Sequence, residues 1–197
     1  MYEMTPRMVQ KLYVNLGKYH GLFDGGRCSG WELEELIVNS IKSDTTSQHH
    51  VKWREGGHDD KADITVKPNG KAYDIQIKSG KVSKSGDLTL SGHRLGRFEG
   101  DLSRVTEYLN NNSANIIAVP YEQKDTDEGR QHIYQICYID VAILTKINAD
   151  HWVKKGKQYT QTNASGVVFS LRPSMSWQIW WKIPAKLIHK LEPKIIK

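Results

Sequence analysis

The sequence has little cysteine. Its only two thiols, Cys28 and Cys137, lie far apart in 197 residues and show no Cys-x-x-Cys spacing. That pattern argues against a disulfide framework or a cysteine-built metal site and leaves two reduced thiols. Long apolar runs are also missing. No stretch approaches the roughly 20 residues that span a bilayer, so no membrane partner is expected. Met1-Tyr2-Glu3-Met4-Thr5-Pro6 lacks the basic-then-apolar pattern of a signal peptide, which places the protein in the cytoplasm. With no internal repeat, low-complexity segment or clear linker, residues 1–197 read as a single domain.

What is present is ordinary for a globular protein: 38% apolar and 25% charged residues. The net charge of +6 suits a polyanionic partner such as nucleic acid. The basic residues cluster. One group is Lys78, Lys81, Lys84, Arg94, Arg97 and Arg104; a second, Lys182, Lys186, Lys190, Lys194 and Lys197, reads as the solvated face of a last helix.

Thr5-Pro6 reads as an N-cap with proline at the first helical position. Val9, Leu12, Tyr13 and Leu16 follow at helical spacing, with a stop near Gly17 to Gly21. Ser29 can cap a second helix, whose Leu33, Leu36, Ile37 and Ile41 form one stripe that ends in polar residues from Lys42 to His49. The period then changes to two. Ala62, Ile64 and Val66 alternate with polar residues, Pro68-Asn69-Gly70 makes a tight turn, and Tyr73, Ile75 and Ile77 alternate with Asp74, Gln76 and Lys78. This predicts a β-hairpin with one apolar and one polar face. Further on, the patterns predict a short strand at Asp87 to Leu90, a helix at Asp101 to Leu109 and a buried strand at Asn115 to Pro120. They also predict a polar loop at Gln123 to Arg130, a strand at His132 to Ile139, and a short helix capped by Asp140. Late strands at Val167 to Leu171 and Trp177 to Ile183 precede a last helix from Pro184. The class is α/β or α+β with one central mixed sheet.

The hairpin's polar face carries the chemistry. Gln76 and Lys78 are two apart and point to one side of their strand. Across the Asn69-Gly70 turn, Asp63 falls near the level of Gln76 or Lys78. A carboxylate, an amide oxygen and an ammonium therefore meet. Phosphodiester hydrolysis uses such an assembly, in which oxygen ligands hold a hard divalent cation and an ammonium positions water and offsets developing charge.

At these residues the chain resembles the PD-(D/E)XK nuclease superfamily, the fold of most type II restriction endonucleases. The matching elements are Ala62-Asp63-Ile64 and Asp74-Ile75-Gln76-Ile77-Lys78-Ser79-Gly80. The resemblance implies a restriction-endonuclease-like fold, Mg²⁺ on Asp63, Gln76 and the Ile77 carbonyl, and Lys78 as the catalytic lysine. Gln76 stands where the family carries an acid, as in a few restriction enzymes, and Ala62 stands where it carries proline. The family often adds a Glu from an early Gly-x-x-x-Glu helix. Gly30-Trp31-Glu32-Leu33-Glu34 fits, which makes Glu34 a further metal ligand, with Glu35 as the alternative. The implied activity is cleavage of double-stranded DNA at a short sequence, leaving a 5′-phosphate and a 3′-hydroxyl. The implied partners are a second copy in a homodimer and a DNA methyltransferase of the same specificity. A junction resolvase or repair nuclease of the same fold, and an inactive DNA-binding module, are the alternatives.

The candidates for DNA contact are Ser79, Lys81, Lys84, His93, Arg94, Arg97 and Arg172. Ser91 to Arg97 reads as a glycine-containing loop that can approach DNA closely. Arg172 sits in a loop that could reach a groove. Trp177, Trp180 and Trp181 read as core. His49, His50, His58, Asp59 and Asp60 form a second ligand-like cluster, but a cysteine partner and helical His-x-x-x-His spacing are both missing, which argues against a zinc site; Gly56 to Asp60 reads as a polar loop leading to Asp63.

Overall fold

The computed structural model describes residues 1–45, 49–53 and 62–196. Within them the chain forms a mixed α+β domain with three α-helices and a 13-stranded mixed sheet. The first helix, α1 (Pro6–Leu22), starts as the sequence predicts: Thr5 Oγ1 accepts a hydrogen bond from Met8 N. It buries Met8, Leu12, Tyr13, Leu16 and His20. The second, α2 (Trp31–Lys42), is not capped by Ser29. Gly30 is the N-cap, at φ 63° and ψ −142°, with no side-chain cap bond. That backbone conformation belongs to glycine, so Gly30 serves the start of the helix. Thr5 Oγ1 also donates to Asp44 Oδ2 at 2.7 Å, which ties the start of α1 to the end of α2.

The predicted hairpin is present. Strand β2 (Ile64–Pro68) pairs antiparallel with β3 (Tyr73–Val82), with Thr65 opposite Asp74. Asn69 and Gly70 both take positive φ, as a primed two-residue turn requires. An additional strand, β1 (His49–Trp53), lies against β2. Thus His49 and His50 belong to a strand, while His58, Asp59 and Asp60 lie outside the described residues.

The segment Gly80 to Gly100 is more regular than expected. β3 runs on to Val82 and turns into β4 (Leu88–Arg94), so His93 and Arg94 are strand residues and only Arg97 lies in a short 3₁₀ turn, Gly96–Phe98. Helix α3 (Leu102–Asn110) is capped by Asp101, which accepts from Ser103 N and Arg104 N. Strand β5 (Asn115–Thr126) pairs in parallel with β3 and, beyond the core, forms a hairpin with β6 (Gly129–Tyr134) where a polar loop was expected. The expected strand to Ile139 breaks after Tyr134, with β7 (Cys137–Ile139) returning to β5.

Strands β8 (Val153–Lys155) and β9 (Gln158–Thr162), invisible to apolar alternation because their residues are mostly polar, precede β10 (Val168–Arg172) and β11 (Gln178–Ile183). The last helix does not form. Pro184 opens one 3₁₀ turn, Ala185–Leu187, and the lysine-rich tail instead makes two short strands, β12 (His189–Lys190) against β7 and β13 (Lys194–Ile195) against β6. The central order is β12-β7-β5-β3-β4-β11-β10-β9-β8.

Two apolar clusters cover opposite faces. On one, α1 and α2 pack with Ile64, Val66, Ile75, Ile77, Ile117 and Val119. On the other, residues of α3 join Leu88, Leu90, Ile116, Ala118, Phe169, Ile179 and Trp181. Among the described residues no helix is long and apolar enough to cross a membrane.

Candidate active site

The site lies where β3 loses its neighbours on one edge. β3 pairs with β2 through Tyr73, Asp74 and Ile75, and with β4 only from Gly80 onward. Between them residues 76–79 face a gap in the ladder. Asp63, just before β2, fills it: its own N–H donates to the Ile75 carbonyl at 3.0 Å, and its Oδ2 accepts from Ile77 N at 2.6 Å. A side-chain carboxylate thus takes the place of a strand partner. The N–H and C=O of one strand residue point to the same edge, so the Ile77 carbonyl also faces the gap. Lys78 Nζ lies 3.3 Å from the same Asp63 Oδ2, and both side chains are about four-fifths buried.

Gln76 is buried, with its amide nitrogen 2.8 Å from His93 Nε2. His93 reaches it because of a β-bulge. Between the pairs Ser91–Trp180 and Arg94–Gln178, β4 carries one residue more than β11. The extra residue turns His93 to the Gln76 face and leaves Arg94 on the other. His93 also meets the edge of Tyr108 on α3 at 5.4 Å between centroids. The bulge, which carries no sequence signal of its own, is why His93 read as a DNA-contact candidate and not as the partner of Gln76.

Glu34 is not aimed freely at the metal position. Its Oε2 accepts from Trp53 Nε1 at 3.2 Å, and Trp53 pairs with Ile64, the residue after Asp63. Glu34 therefore sits at the flank of the site, joined to β1. Glu35 shares the helix. Among the described residues, no three of His, Cys, Asp and Glu converge as a ligand group. The oxygen donors at the gap are one carboxylate and a backbone carbonyl, with the Gln76 amide adjoining. This set fits a hard, weakly held divalent cation better than zinc.

The DNA-contact candidates separate. Lys81 and Lys84 are exposed just beyond the site. Ser79 is on β3 but, by alternation, on the face opposite Lys78. The Arg97 guanidinium lies 4.7 Å from the Tyr108 ring centroid and 5.1 Å from that of Phe98, so it packs on the protein's own aromatics. Arg172 ends β10, with its guanidinium 4.5 Å from the Trp180 ring. Of the two glycines expected to admit DNA, Gly92 serves packing: a Cβ there would come within 2.4 Å of the Trp181 ring, whereas one on Gly96 would come no nearer than 3.4 Å to any neighbour. Trp181 is core, as expected, whereas Trp180 is half-buried outside both apolar clusters.

Comparison with protein-family models, with curated proteins and with solved structures found no match to this chain.

Proposed function

We propose that the protein is a Mg²⁺-dependent endonuclease acting on double-stranded DNA, of the PD-(D/E)XK type. The observation that carries this is the gap along β3, where Asp63 accepts from both the Ile77 N–H and the Lys78 ammonium. Asp63 and the Ile77 carbonyl, with Gln76 beside them, would hold the cation, and Glu34 would reach it only from the flank. Bound Mg²⁺ supplies an acidified water and charge neutralisation at the phosphate. Lys78 then orients the attacking water, and its charge offsets that of the transition state. His93 fixes the Gln76 amide, so the neutral ligand is preorganised by its neighbour. A type II restriction enzyme, acting as a homodimer alongside a methyltransferase of matching specificity, is the particular form proposed.

A second reading is favoured by one observation: among the described residues, the gap holds a single carboxylate, that of Asp63. With so little negative charge, the chain could bind DNA without cutting it. Incubating supercoiled plasmid and phage DNA with the protein and Mg²⁺ separates the readings. Discrete fragments support restriction, preference for branched DNA supports a resolvase, and binding without cleavage at any divalent concentration supports the inactive module.

A further inference from the structure

The half of the sheet formed by β4, β11, β10, β9 and β8 has one face in the second apolar cluster. The opposite face is covered by neither cluster among the described residues. Register and alternation place Arg94, Gln178 and Arg172 in one row across β4, β11 and β10 on that face. Ser91, Trp180 and Ser170 form the next row, and Thr89 lies between Lys81 and Lys182 in another. Lys155 on β8 shares the face through Gln158. The face therefore carries five cations, and its strands contribute no acid to it. Asp87, just before β4, pairs with one of these cations, Lys182, at 3.3 Å.

We infer that this open face is a track for the phosphate backbone of duplex DNA, running from the Arg94 rim of the β3 gap towards Arg172. The inference rests on the nuclease reading for the identity of the polyanion. Charge selects the occupant: a second copy packed face to face would set cation against cation, whereas a duplex presents a dense row of phosphates. The geometry suits the task. The Arg172 guanidinium lies over the Trp180 ring at 4.5 Å, which leaves fewer rotamers to lose on contact. The Ser91 and Ser170 hydroxyls in the next row can donate to phosphate oxygens. Arg94 begins the row next to His93 but on the face of β4 opposite Gln76 and Lys78, so the track reaches the rim of the β3 gap from the other side of the sheet.

The test is duplex binding without divalent cation, titrated over several salt concentrations. Arg94→Ala with Arg172→Ala should weaken binding about tenfold or more and reduce the salt slope by about two. Lys18→Ala with Lys124→Ala removes the same charge elsewhere and should leave the slope nearly unchanged. Matching melting temperatures show that both double variants fold. If the parent binds and the arginine pair changes neither affinity nor slope, the track is wrong and the nuclease reading stands. An equal loss in the lysine pair also overturns it, because binding would then follow overall charge. Tighter binding to a single strand than to a duplex would reject the duplex assignment. A parent that neither binds nor cuts DNA would overturn the nuclease reading together with the track.

Discussion

Lys78 and Asp63 share one contact, and their separate losses should differ in kind. Lys78→Ala removes the ammonium but leaves the Asp63–Ile77 bond that closes the gap. Cleavage should fall by roughly a hundredfold or more, the usual scale for removing a preorganised charge stabiliser, with the fold and DNA affinity retained. Gel assays of plasmid cleavage beside a binding titration read this, and activity within tenfold of the parent would reject the role. Asp63→Ala should also abolish cleavage, but it leaves the buried Ile77 N–H without its acceptor and so should lower the melting temperature as well. For Gln76→Glu the expectation is persistent cleavage at a lower Mg²⁺ concentration, because a second carboxylate strengthens the donor set. A cation titration checks it, and loss of both cleavage and cation binding would make Gln76 a purely structural partner of His93.

Among the elements, β4 leaves little room at its glycine. Gly92→Ala would drive a methyl group into Trp181 and Ile179, an overpacking change that costs about 1–3 kcal/mol. A shift in the urea midpoint would show it, and an unchanged midpoint would mean that the bulge relaxes freely. The Thr5 cap is a milder case: Thr5→Ala should cost about 0.5–2 kcal/mol in the same measurement. These elements differ in how far the sequence reveals them. The β2–β3 hairpin was legible because both strands alternate and Asn69-Gly70 permits one kind of turn. Asp63, Gln76 and Lys78 were found with it, since side-chain period and turn fix their side. The His93 partnership was not legible, because one inserted residue reverses the phase of β4. Strands β8 and β9 escaped for a different reason: in the edge strand and its neighbour, polar residues such as Lys154 and Gln158 leave no apolar alternation. The tail after Pro184 has helical charge spacing, but its backbone pairs with β6 and β7, and tertiary contact overrode the local pattern.

For the whole molecule, burial of ionisable groups ties stability to pH. Desolvation pushes the thiols of Cys28 and Cys137, and the Tyr13 hydroxyl, up to about 12. Each is an acid whose folded pKa lies above its unfolded value. Its contribution is therefore complete below about 8.5 for the thiols and about 10 for the tyrosine, and fades as pH rises towards 12. Melting temperatures should fall steadily from pH 9 to pH 11, and a flat profile there would contradict the burial. The two thiols have another use, because each belongs to a different side of the sheet: Cys28 packs with α1 and α2, Cys137 with α3 and the late strands. Among the described residues the two clusters share no member and lie on opposite faces of the sheet, so one side should be able to open while the other stays closed. A slow alkylating reagent added to the native protein would then label the thiols at two different rates, each a clock for its own side. Trp181→Ala should hasten the clock at Cys137 and leave that at Cys28 nearly unmoved.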